Sequence, residues 1–146
     1  MEFAPHVTVA TVIEDNGRFL MVYEEADGAK VFNQPAGHLE ANETLREAAL
    51  RETLEETGWE VELTGTLGVH LYTSPRNNVT YCRITFIARP LKHRPELPLD
   101  EGIIGPQWLS IAELRERRNE LRSPMTLEII EQYLTGTCYP LDVIAG

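Results

Sequence analysis

Cysteine is scarce in this chain. Cys82 and Cys138 are the only two in 146 residues, and they lack metal-ligand spacing. They read as free thiols of a reducing compartment, which argues against a disulfide-stapled scaffold or a thiolate metal centre. Long apolar runs are missing too: none approaches the ~20 residues of a membrane-spanning helix. The first residues carry no basic-then-apolar signal, so a cytoplasmic location is expected. Positive charge is in deficit, with 13 Lys and Arg against 23 Asp and Glu and a net charge of −10. A nucleic-acid backbone is therefore a poor partner, and a polyphosphate would be repelled unless cations neutralised its site. Repeats, linkers and low-complexity segments are absent, and residues 1–146 read as one domain.

What is present is concentrated between Gly37 and Trp59, GHLEANETLREAALRETLEETGW. Helix formers fill its middle, Asn42 or Glu43 is placed to start a helix, and Gly58 to stop it. At about 100° per residue, Leu45, Ala48, Ala49, Glu52 and Glu56 share one broad face, with Glu55 at its margin. That face begins apolar and ends in carboxylates. Taken singly, each glutamate fits a solvated helix with pairs such as Glu47 and Arg51. Taken together, they would raise one another's pKa unless a cation lay between them, and oxygen ligands of this kind suit Mg²⁺ or Mn²⁺.

Gly37, Glu43, Arg51, Glu52, Glu55, Glu56, Gly58 and Trp59 stand at the spacing of the Nudix box, and the segment resembles the Nudix hydrolase family. One position departs: Thr53 stands where an aliphatic residue is usual. The resemblance implies that Glu52, Glu55 and Glu56 hold two or more divalent ions with substrate, Mg²⁺ or alternatively Mn²⁺. The carbonyl of Gly37 is implied as a backbone ligand. Glu43 and Arg51 are implied to brace the loop as an ion pair. For the general base, the family pattern directs attention to Glu101, with Glu55 or Glu56 as alternatives.

Along the rest of the chain, 6–14 alternates as a strand, Asp15-Asn16-Gly17 is a hairpin turn and 18–24 returns. Val31-Phe32 is a short strand. Residues 60–72 and 79–88 form an antiparallel pair around a Ser-Pro-Arg-Asn-Asn turn, 90–98 reads as a charged loop, and 103–109 is a last strand. Ser110 with Glu113 forms a capping box, and Ser123-Pro124 opens the final helix. Strands broken by helices, with antiparallel hairpins, indicate an α/β fold of the α+β type. The resemblance implies the same architecture, a curved mixed β-sheet sandwiched between helices.

Asn33, Gln34 and His38 lead into the metal loop and are candidate substrate contacts. Arg83, between apolar neighbours on a strand, either reaches a phosphate or points outward. Tyr72, Tyr81 and Phe86 read as core, with one of them free to stack on a base. The segments 5–10, 33–40, 108–110 and 121–124 resemble one bacterial subgroup of the family. That likeness implies hydrolysis of nucleoside tri- and diphosphates, and of hydroxymethylpyrimidine pyrophosphate in thiamine metabolism, with release of phosphate. The alternatives are a housecleaning hydrolase of oxidised or non-standard nucleotides or nucleoside diphosphate derivatives, and a nucleotide sensor without activity. The expected partner is a small phosphorylated substrate, with the chain a monomer or a homodimer.

Overall fold

The computed structural model describes residues 2–146. Its strands are β1 (His6–Asp15), β2 (Arg18–Ala26), β3 (Ala29–Asn33), β4 (Ala36–His38), β5 (Trp59–Thr73), β6 (Thr80–His93) and β7 (Ile103–Ser110). The helices are α1 (Leu45–Thr57), α2 (Ile111–Glu116) and α3 (Pro124–Leu134). The seven strands form one mixed sheet of order β3-β2-β1-β6-β5, with β4 on β1 and β7 on β2. This is the α+β sandwich expected from the alternation of strands and helices.

Strand β1 runs parallel to β6 from His6 to Ile13, yet meets β2 only beside the turn, at Glu14–Phe19 and Asp15–Arg18. The hairpin therefore splays, and the β3-β2-β7 half leaves the β4-β1-β6-β5 half with a cleft between them. The period of two along β1 decides what each face meets. Val9 packs with Ala48 and Ala49 of α1 and with Ile84 and Phe86 of β6. Val12 turns the other way, into a core with Phe19, Met21, Phe32, Leu114 and Ile130. Helix α1 covers the first face, and α2 and α3 the second.

The N-cap of α1 is Thr44, one or two residues after the start expected from the sequence. The Thr44 hydroxyl accepts from the Glu47 N–H and the Glu47 side chain accepts from the Thr44 N–H, a capping box. That hydrogen bond is what occupies Glu47, whereas Arg51 pairs elsewhere. Gly58 ends the helix at φ 73°, in the left-handed region that favours glycine. The expected loop over 90–98 is corrected in part, because β6 continues through Pro90 to His93. Pro90 stands opposite Val61 at a register shift, and past Ala88 the strand has left β1, so the missing N–H interrupts no ladder on that side. Ser110 caps α2 through its box with Glu113. Ser123 precedes α3 without a side-chain cap bond, with Pro124 as the first helical residue.

Candidate active site

The last two turns of α1 lie against β4, and the contact is possible only because residue 37 is glycine. A Cβ there would sit 2.1 Å from Glu52 Cδ. The Glu52 carboxylate is thus laid on the backbone of the loop. Its neighbour Arg51 gathers the acids: Nε and Nη2 donate to the two oxygens of Glu43 at 2.6 and 3.0 Å. Nη1 donates to Glu52 Oε1 and Glu55 Oε1, both at 2.7 Å, and Nη2 also reaches the His38 carbonyl at 3.1 Å. Arg51 is held well above its ordinary pKa, first by Glu43. Its hydrogen bond in turn lowers that of Glu43.

A third carboxylate joins Glu52 and Glu55 from the loop before β7. Ligand oxygens of Glu52, Glu55 and Asp100 all lie within 4.8 Å of one another. The Asp100 N–H donates to the Glu55 carbonyl at 3.1 Å, and its carbonyl closes a turn on the Ile103 N–H with Gly102 at φ 88°. Glycine is required by the positive φ at the third position of such a turn, and the pattern Asp-Glu-Gly-Ile was the available signal for it. Glu101 occupies the next, exposed position of the turn and lies outside this trio. It is Asp100 that the structure brings to the acidic cluster.

Glu56 stands outside that trio. Its Oε1 accepts from the Ala36 N–H at 2.9 Å, and the side chain forms part of the wall of the cleft. Burial pushes its pKa up to about 9, against the hydrogen bond from Ala36, with Glu52, Glu24 and Asp100 adding repulsion. Glu52 is raised as well, first by burial.

The cleft has a volume of about 880 Å³. Its floor follows from strand register: His38, Thr8 and Arg83 are successive cross-strand neighbours, and Tyr81 and Tyr72 pair in the next row. Gly37, His38 and Glu56 stand at one end, and Arg122, Ser123, Pro124 and Met125 at another. A fold with this sheet, a glutamate-rich helix held on a glycine loop and a cleft beside it matches known proteins. The NUDIX domain family model matches residues 3–129.

The chain belongs to the Nudix family.

It is 42% identical to phosphatase NudJ of Escherichia coli K12 over 142 residues, covering 97% of this chain and 92% of that protein. The same figures hold for phosphatase NudJ of Shigella flexneri. A solved NUDIX hydrolase from Nitrosomonas europaea has a TM-score of 0.95 and 40% identity, covering 98% of this chain and 97% of its own. A UDP-X diphosphatase structure shares the fold, with a TM-score of 0.73 at 19% identity over 93% of this chain and 66% of its own. The chain is accordingly a Nudix hydrolase, an enzyme that breaks pyrophosphate bonds in small phosphorylated compounds.

Within this Nudix site the substrate candidates separate. Gln34 is fully buried, its Nε2 donating to the Thr126 carbonyl at 2.7 Å and its Oε1 accepting from Arg83 Nη2 at 3.2 Å. Asn33 is buried beside it, accepting from Thr126 Oγ1, and reaches the cleft. His38 is exposed at the rim, its Nε2 3.0 Å from His6 Nδ1, and its pKa is lowered by burial and by His6. Arg83 reaches the cleft and does not point outward. Tyr72 and Tyr81 line the cleft, which corrects their reading as core, whereas Phe86 is fully buried. Among the described residues no helix is long and apolar enough to cross a membrane.

Proposed function

We propose that this Nudix hydrolase requires Mg²⁺, with Mn²⁺ able to replace it, and cleaves nucleoside di- and triphosphates or hydroxymethylpyrimidine pyrophosphate with release of orthophosphate. The observation that carries the metal is the close grouping of Glu52, Glu55 and Asp100, with Glu52 against Gly37, a residue that lines the cleft. Three carboxylates are a donor set for hard cations, and a bare glycine backbone leaves room for its carbonyl to join them. When bound, such ions offset phosphate charge and make water a better acid. The name of the relatives reported above, phosphatase NudJ, supports orthophosphate as the product.

The chain's own residues then take distinct roles. Arg51 and Glu43 hold the carboxylates in register with the loop. Glu56, anchored through Oε1 on the Ala36 N–H, keeps Oε2 for the proton of the attacking water. Glu55 and Glu101 are the alternatives for that task. Asn33, His38 and Arg83 meet the substrate, Gln34 holds Arg83 in place, and Tyr72 or Tyr81 offers a ring for a base. Complete retention of the box glutamates supports turnover over mere sensing, and the free cysteines fit a cytoplasmic enzyme. The test is a panel of nucleotides and pyrophosphorylated metabolites, reading phosphate and pyrophosphate separately, with Mg²⁺ and with chelator. Full turnover in chelator, or highest kcat/KM on dinucleoside polyphosphates, would overturn the reading.

A further inference from the structure

Three arginines line the cleft, and two have carboxylates. Arg76 is paired with Asp27, and Arg122 Nη1 donates to Glu24 Oε1 at 3.1 Å. Arg83 has no carboxylate at ion-pair distance among the described residues. Its one hydrogen bond goes to the neutral amide of Gln34, and its enclosed Nε has no partner. An unpaired desolvated cation is costly and is kept only where something compensates it. Burial first, and Arg122 second, lower its pKa to about 10, against the more distant charges of Glu56 and Glu24, so it stays charged at neutral pH. Two guanidiniums that repel each other across a cleft have an anion as their natural complement.

The segment Leu121-Arg122-Ser123-Pro124 supplies the second half of the site. Helix α3 is 11 residues long, and Ser123 stands at its N-cap without a side-chain cap bond. Pro124 has no N–H to offer, and the Met125 N–H has no partner among the described residues. Ser123, Pro124 and Met125 all line the cleft. The helix end is thus open toward the space that Arg83 and Arg122 face, with donors unused and the positive end of its dipole presented. Gln34 makes this one unit: it accepts from Arg83 and donates to the Thr126 carbonyl in the first turn of α3.

We propose that Arg83, Arg122, Ser123 and the N-terminus of α3 form a subsite for the terminal phosphate of the substrate. This selects pyrophosphates with a free end over those esterified at both ends. The proposal rests on the hydrolase reading above and adds the feature of the substrate that is read. A terminal phosphate carries about −1.5 to −2 charge at neutral pH and three open oxygens, more than an internal phosphate presents. Such a group matches unpaired Arg83, the donors that Arg122 keeps beyond its bond to Glu24, and a helix terminus at once.

The test compares adenosine diphosphate with its terminal methyl ester, and adds a titration of inorganic phosphate into the full chain in chelator. The free diphosphate should be preferred by ~10-fold or more in kcat/KM, a discrimination typical of one charge-assisted contact. Arg83→Gln and Arg122→Gln should each raise KM for the diphosphate by ~10-fold, raise KM for the ester severalfold less and weaken phosphate binding alike. Arg83→Lys should recover part of the loss. Variants that slow both substrates equally, or phosphate binding in chelator that is absent or unaffected by substitution, would overturn the subsite. Failure of the wild type to release phosphate from any pyrophosphate compound with Mg²⁺ would sink the hydrolase reading instead, and the phosphate titration would still decide the subsite.

Discussion

At the scale of single residues, the site depends on what is absent at position 37 as much as on the acids around it. Gly37→Ala puts a Cβ 2.1–2.4 Å from the Glu52 carboxylate, so that carboxylate must leave the loop. We expect turnover to fall by ~10²-fold or more, with a change in melting temperature too small to explain it. Normal turnover in a folded Gly37→Ala protein would show that the Glu52 contact is incidental. Glu56→Gln keeps shape and removes a charge. Turnover should fall by ~10³-fold, about 4 kcal/mol of transition-state stabilisation. Its metal-free stability should hold or rise, because burial first, and the like charges of Glu52, Glu24 and Asp100 after it, disfavour an ionised Glu56 in the fold. The control is Glu47→Gln on the same helix. Glutamine also completes a capping box, so stability should change by no more than ~0.5 kcal/mol and the rate hardly at all. Near-normal turnover in both variants would end the case for a catalytic role of these acids.

At the scale of elements, α1 is fastened to β1 by a bond that follows from the chain's one departure from the family box. Thr53 Oγ1 donates to the Ala49 carbonyl at 2.8 Å and lies 2.8 Å from Thr11 Oγ1, so the Thr11 hydroxyl must be the donor between the two. Both residues are fully buried. Thr53→Val strands the Thr11 hydroxyl and should cost ~1–3 kcal/mol in urea unfolding, whereas Thr11→Val with Thr53→Val should come close to wild type. A double variant as damaged as the single would mean that the pair contributes nothing particular. This coupling also shows what the sequence could and could not disclose. Spacing alone revealed the box, its helix and the Ser110–Glu113 capping box, because those signals are local, whereas the box of Thr44 and Glu47 on α1 lies just past the start that spacing indicates, Asn42 or Glu43. Asp100 and the cleft-facing tyrosines were hidden, because they depend on which strand lies beside which. Arg83 reads as an outward residue on an alternating strand until β1 and β5 flank it and the cleft takes that face. Gln34 needed the fold as well, since its partner Thr126 is 92 residues away.

At the scale of the whole molecule, ten surplus negative charges and a cluster of half-buried acids make stability, pH and cations one problem. Glu56 ordinarily titrates at 4.5, and in the metal-free fold it is pushed up to about 9. Between those values the folded chain holds a proton that the unfolded chain releases. Stability is therefore full below the lower value and declines as pH rises through the window, by at most about 1.4 kcal/mol per pH unit for one group. Glu52, also raised, adds in the same direction. Glu43, Glu96 and Glu113 are lowered, so their contribution is lost only as pH falls below the ordinary carboxylate range. Metal-free protein should thus be most stable near pH ~5 and weaken toward pH ~9, the reverse of a fold governed by exposed salt bridges. A divalent ion binds the ionised carboxylates and displaces that proton, so saturating Mg²⁺ should raise stability more at pH ~8 than at pH ~6. Urea unfolding across that range, in chelator and in Mg²⁺, measures both slopes, and calorimetry in two buffers counts the proton released. Stability in chelator that is flat or rising from pH ~6 to pH ~8 would show that Glu56 is already ionised in the fold. The gain from Mg²⁺ would then have to come from Glu52, Glu55 and Asp100 alone.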